Sequence, residues 1–297
     1  MPSSPGSDAT CSSSPEPRAP SPRPGRDGRL ELAFTARDGR TVLTARRFTL
    51  PLQALEPMDL EGDGAATLLL LNPTGGLLAG DRLETSITLG PGCRVCLSTP
   101  SATRVYRSPG PAAVQHVAID VGHGASLEWV PDHLIPSPGA RLLQTTEIRL
   151  AAQATLLYLD AWAVGRVVRG EAWRFDRLDT SLLVCDEAGP LLRERAILSG
   201  SPSRDGLGGT EGMAYVATFV AARPGAEDWD DVAGSLQAAV DAMQGPGRAA
   251  LSTLGRGGVL ARLLCPSAPA LQVLVEALWA AGRRRLLGLP PARLRKL

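Results

Sequence analysis

Residues 72–82 read NPTGGLLAGDR and follow the apolar run AATLLLL (65–71), so a strand leads into two glycines spaced Gly75-x-x-x-x-Gly80. Such a loop could cradle phosphate on its backbone N–H groups. That chemistry needs Lys and then Ser or Thr directly after the second glycine, to meet the β/γ-phosphates and a magnesium ion. Asp81 and Arg82 stand there instead, and a carboxylate aimed into the cradle repels phosphate. RLETSITLG (82–90) then alternates like a strand where a phosphate loop opens a helix. A second glycine segment, GHGASL (122–127), has Leu127 where a dinucleotide fingerprint requires Gly or Ala. Both loops read as turns between strands.

Other chemistry is equally sparse. CRVC (93–96) matches C-x-x-C, but Val95 and Leu97 alternate as in a strand, which sends Cys93 and Cys96 to opposite faces. With no second such pair and only His116, His123 and His133, a zinc tetrad is not expected. No G-x-S-x-G elbow is present, and three histidines leave little room for a Ser/His or Cys/His pair. Carboxylates are plentiful, so the paired Asp/Glu of a carbohydrate-active β-helix enzyme stays open as the alternative. Sugar platforms are usually aromatic, however, and only 4% of this chain is. The residues assign no catalytic group and no cofactor-binding group.

The elements that would position these residues form a repeat. ITLGPGCRVCLS (87–98), IDVGHGASLEWV (119–130) and IRLAAQATLLYL (148–159) each read strand, tight turn, strand. Superposed, they align Ile87/Ile119/Ile148, Leu89/Val121/Leu150, Val95/Leu127/Leu156 and Leu97/Trp129/Tyr158 as inward positions at period two. Repetition near thirty residues marks units that stack on a shared core. TSLLVCDEAGPLLRERAIL (180–198) continues the theme more loosely. The opposite face carries Cys96/Glu128/Leu157 and Ser98/Val130/Leu159 and grows apolar toward the last unit, as though something covers it. That face and the C-terminal helices predict a surface covered by another chain, and hence poor solubility alone. Glu128, charged among apolar neighbours, needs water, a partner or a cation if it is covered.

Beyond residue 210 the pattern changes. GMAYVATFVAA (212–222) and GGVLARLLC (257–265) read as strands. DWDDVAGSLQAAVDAMQGPG (228–247) places Val232, Leu236, Val240 and Met243 on one helical stripe, and 268–288 does the same with Leu271, Leu274, Val275 and Leu278. The whole reads as mainly β, a solenoid-like stack of strand–turn–strand units ending in two α-helices. Residues 1–28, rich in Pro and Ser, are expected to be a disordered tail. Residues 29–297 form one domain, β-rich over 29–210 and mixed over 211–297. A net charge of +1 argues against nucleic acid as a partner. No apolar run is long enough to span a membrane, and the N-terminus lacks a signal peptide, so a cytoplasmic location is expected.

The stretch LLNPTGGLLAGDRLETSITLGPGCRVCLSTPSATRVYRS (70–108) resembles the urease accessory protein UreD (UreH) family, which carries an N-P-x-G-G-L-x-x-G-D turn and a T-x-x-A-[TS]-[KR]-[VI]-Y-R segment. The resemblance continues through GASLEWVPDHLIP (124–136), GPLLRER (189–195) and ALWAAGRRRLLGLP (277–290). Ser137 departs from a frequent Phe, and LDAWAVGR (159–166) departs from a G-W-E-like segment, with Asp160 nearby. The resemblance implies a non-enzymatic scaffold that binds UreF, recruits the GTPase UreG and docks on apo-urease, with no permanently bound cofactor and nickel in transit. It makes 72–82 a structural turn built on Gly75, Gly76 and Gly80, with Asp81 either capping it or lining a path for the metal. A cation crossing this subunit wants carboxylates, carbonyls and water. Asp81, Glu128 and Asp132 are the acidic residues within the best-matching motifs. Tyr106 and Arg107 are expected to fix a strand end or a partner contact.

Overall fold

A computed structural model describes residues 27–200, 206, 208–225, 228–292 and 294; most of the expected tail lies outside them. The chain coils as a β-solenoid of about four turns, passing alternately between two sheets. The seven-stranded sheet runs Gly189–Leu198, Arg177–Asp186, Arg141–Leu150, Ala113–Val121, Arg82–Leu89, Asp27–Arg37, Arg40–Thr49. The eleven-stranded sheet has the main order Arg248–Thr253, Gly258–Cys265, Tyr215–Ala222, Thr155–Ala163, Ser126–Trp129, Arg94–Ser98, Ala66–Leu71, Gln53–Ala54.

The columns read from the repeat are the registers of the parallel ladders. Ile87 pairs with Ile119 and Ile119 with Ile148; Val95 pairs with Leu127 and Leu127 with Leu156. A parallel sheet needs a crossover between neighbouring strands, and stacking identical coils places like residues over like. These side chains fill the space between the sheets and are essentially excluded from solvent, a burial that stabilises each large aliphatic by about 1.5–3 kcal/mol. Cys93 and Cys96 fall into separate cores on opposite faces of the strand.

The 180–198 segment differs from its neighbours. It is an antiparallel hairpin within the seven-stranded sheet, not a crossover, and it ends the coil. The chain then returns to the other sheet as Tyr215–Ala222, antiparallel to Thr155–Ala163.

Two helices follow, α1 (Trp229–Asp241) and α2 (Ala268–Gly282). Asp228 caps α1 by accepting the Asp231 N–H at 3.1 Å, and Ser267 caps α2 by accepting the Ala270 N–H at 3.3 Å; both satisfy donors left open by the helix start. Their apolar stripes, Val232, Leu236, Leu271 and Leu278 among them, pack with Leu157, Leu159 and Phe219 on the outer face of the eleven-stranded sheet. The covering of that face, expected from another chain, is therefore supplied by this chain's own C-terminus. Met243 lies beyond α1 and is exposed. Helix α2 continues into one π-helical turn, Arg283–Leu287, closed by Gly288 at φ 66°.

Candidate functional site

The two sheets do not close completely. Between them lies a cavity of about 180 Å³, opening among the loops at 72–77, 99–103 and 131–134. Its walls break the apolar alternation with Thr85, Gln115, Gln144 and Thr146 from one sheet and Tyr158 and Asp160 from the other. Asp160 follows Tyr158 at period two and so faces inward, while Leu159 faces the helices. Burial, reinforced by the Glu194 carboxylate, raises the Asp160 pKa to about 6; hydrogen bonds from Gln144 and the Ala161 backbone oppose the rise. Glu194 is held by Arg262 at 3.1 Å. Burial likewise pushes the Tyr158 hydroxyl well above its usual range. The chemistry on offer is a few oxygen donors in a confined and otherwise apolar space.

Of the three expected carboxylates only Asp132 reaches this cavity, at its loop end, with its backbone N–H donating to Thr99 Oγ1 at 2.9 Å. Asp81 belongs to the turn. Its Oδ2 accepts the Leu78 N–H at 2.8 Å and its backbone O accepts the Val114 N–H at 2.8 Å. Gly75 and Gly80 adopt φ of 81° and 76°, and a Cβ on Gly76 would sit 2.3 Å from the Arg104 carbonyl oxygen, so the glycines serve the reversal. Tyr106 closes the same turn: its N–H donates to the Leu77 carbonyl at 2.9 Å and its hydroxyl reaches the Gly75 carbonyl at 3.4 Å. Arg107 bridges Ala140 through the backbone and leaves its side chain exposed. Asp81→Asn keeps one acceptor but sets an amide donor in the turn. A loss of about 1 kcal/mol is expected, read as a lower urea midpoint and less soluble protein.

Glu128 has a partner that the sequence did not reveal. Its Oε1 and Oε2 accept from Arg283 Nη1 at 2.9 and 3.1 Å, and Oε2 accepts from Trp279 Nε1 at 2.5 Å. Arg283 turns its other nitrogen to Glu61, at 2.6 and 2.8 Å, and its Nε to the Pro290 carbonyl at 2.9 Å. Its guanidinium also lies 5.7 Å from the Trp279 ring. Burial raises the Glu128 pKa, and Arg283 and Trp279 hold it down. The group is a latch that ties α2 and the C-terminal turn to the sheet. It accounts for Glu128 without a cation. Among the described residues no three His, Cys, Asp or Glu converge as a metal site.

The comparisons agree with the geometry. The profile of the family described as "UreD urease accessory protein" matches residues 26–296. The chain is 35% identical to the urease accessory protein UreD of Alkalilimnicola ehrlichii, over 97% of this chain and 94% of that protein. It is 35% identical to that of Deinococcus radiodurans, over 91% and 95% of the two chains. The protein of the same name from Mycolicibacterium gilvum is 32% identical over 91% and 97%. With the coil, the glycine turn and near-full-length matches in agreement, this chain belongs to the UreD family of urease accessory proteins.

Proposed function

We propose that this chain is the scaffold of a urease maturation complex: it binds UreF-like and UreG-like partners, docks on apo-urease, and lets nickel pass to the urease active site. Family membership supports the maturation role. The observation that carries the finer reading is the set of polar side chains in the cavity between the sheets, with Asp132 at its loop end and Asp160 inside. Its oxygen donors suit a divalent cation in passage, because scattered carboxylate, amide and hydroxyl oxygens bind it without closing a shell around it. The chain supplies position and path; nickel is cargo, and GTP chemistry belongs to the partner. Among the described residues no helix is long and apolar enough to cross a membrane.

Co-expression of the tagged full chain with urease subunits and the UreF-like and UreG-like proteins tests this. The tagged chain is expected to retain both partners and apo-urease, and nickel per urease active site is expected to fall in Asp132→Asn at equal accessory-protein levels. A tagged chain that retains none of them would refute the scaffold. Full nickel loading in Asp132→Asn together with Asp160→Asn would refute the path.

A further inference from the structure

Three tight turns, 90–93, 122–125 and 151–154, return the chain from the seven-stranded to the eleven-stranded sheet. They lie at the end of the coil away from the cavity mouth. The left-handed position is Gly92 in the first turn and Gly124 in the second, at φ of 68° and 61°. The third turn places Gln153 there, at φ 60°. A residue with a Cβ is strained in that region and glycine is not. Such an outlier points to a use for the side chain. Gln153 borders a hollow of about 610 Å³ between these turns and the π-helical turn that ends α2.

The floor of the hollow is a polar row on the outer face of the eleven-stranded sheet. Arg94, Ser126 and Thr155 stand side by side in the parallel ladder and all border the hollow. Ser126 is 7% exposed and Thr155 3%. Arg223 donates from Nε to Thr155 Oγ1 at 2.8 Å and from Nη2 to the Leu286 carbonyl. A hydroxyl that accepts from arginine gives its own proton elsewhere. Among the described residues no acceptor takes the Thr155 proton, and the Ser126 hydroxyl makes no hydrogen bond. Arg94 donates from Nη1 to Asp63 Oδ2 at 2.8 Å and from Nη2 to the Asp63 carbonyl, so its Nε stays uncommitted. The other wall is apolar, built from Pro224, Leu286, Leu287 and Leu289. Among the described residues no carboxylate lines the hollow.

Buried donors without acceptors cost free energy, and a guest rich in acceptor oxygens removes that cost. Two hydroxyls, an amide and a guanidinium all donate, so the guest's oxygens carry negative charge to best effect. The leucine wall asks for an aliphatic arm on the same molecule. A carboxylate on a short alkyl chain meets both demands, whereas phosphate gains nothing from the leucines. The volume lies within the few hundred to about 1,000 Å³ of small-ligand pockets.

We infer that this hollow binds a small aliphatic carboxylate, with its oxygens on Ser126, Thr155, Gln153 and Arg94 and its chain along the leucines. The site is separate from the cavity between the sheets and does not rest on the maturation role. The test is titration of the purified full chain with hexanoate, followed by ligand-observed NMR, with inorganic phosphate in a parallel arm. Hexanoate is expected to bind saturably with a Kd of about 1 mM or tighter, and phosphate at least about fivefold more weakly. Ser126→Ala removes one donor and should weaken hexanoate about tenfold. Gln153→Gly is the sharper variant, because glycine relieves the backbone while the amide is lost. It should melt at the same or a higher temperature and still bind hexanoate about tenfold more weakly; a purely structural Gln153 would not split the two readouts. Should Ser126→Ala fail to fold, Gln153→Gly is read alone. Absence of saturable hexanoate binding by the wild-type chain overturns the site, as does undiminished affinity in either folded variant. Phosphate bound as tightly as hexanoate overturns the aliphatic carboxylate as its ligand.

Discussion

Glu128→Leu is expected to destabilise the fold by about 3–5 kcal/mol, and Arg283→Met by a similar amount, while the double variant recovers most of the loss. The reason lies in where the pair sits. The Arg283 side chain is 4% exposed and that of Glu128 8%, so removing either strands a charge in an apolar setting. Without Glu128, the Trp279 N–H loses its acceptor and Arg283 keeps, among the described residues, one carboxylate, Glu61, whose side chain is 30% exposed and readily hydrated. Replacing both residues removes the desolvation cost together with the attraction, which is why the double change is mild. Glu128→Gln keeps an acceptor for both donors and should cost less, about 2 kcal/mol. Urea unfolding of the four proteins gives the cycle; additive single losses would show that the pair is not coupled.

Asp160→Asn is expected to stabilise the protein by about 2 kcal/mol at pH 7.5 and to have little effect near pH 4. The Asp160 pKa rises from the ordinary 3.8 to about 6 in the fold, so the folded state binds this proton more tightly than the unfolded one. The protonated acid's contribution is fully present below about pH 4 and is lost as pH rises through about 6. A shift of about two units corresponds to about 3 kcal/mol. Asp160 keeps part of its surface on the cavity, and water there reduces the figure to about 2. Asparagine reproduces the neutral acid and does not ionise, so the wild-type slope between pH 4 and pH 7 should flatten in the variant. Parallel stability profiles for the two proteins would place the titration elsewhere.

Much of the coil is local. The alternation at Ile119, Val121, Leu127 and Trp129 fixes which side chains face inward, and a one-residue slip would turn each of them outward. The repeat then sets the parallel registers, which the sheets reproduce. The glycine turn was legible for the same reason: positive φ and close backbone approach demand glycine wherever they occur.

What stayed hidden depends on contacts between distant residues. Strand–turn–strand is the same local pattern in a crossover and in a hairpin, so 180–198 became distinct only when both its strands entered one sheet. The stripes of α1 and α2 announced that each helix buries a face; the tertiary packing decided that the buried surface is the Leu157 and Leu159 side of the sheet. Glu128 showed its need for a partner, yet Arg283 stands 155 positions away, beyond any periodicity. Asp160 looked like one acid in an apolar run until the opposing sheet brought Gln144 and Glu194 to it. By itself the sequence determined the strand faces, the turns and the helical stripes, because backbone sterics and side-chain alternation act over a few residues. Only the tertiary structure decided which faces meet and which charges pair, because those depend on which distant segments the fold brings together.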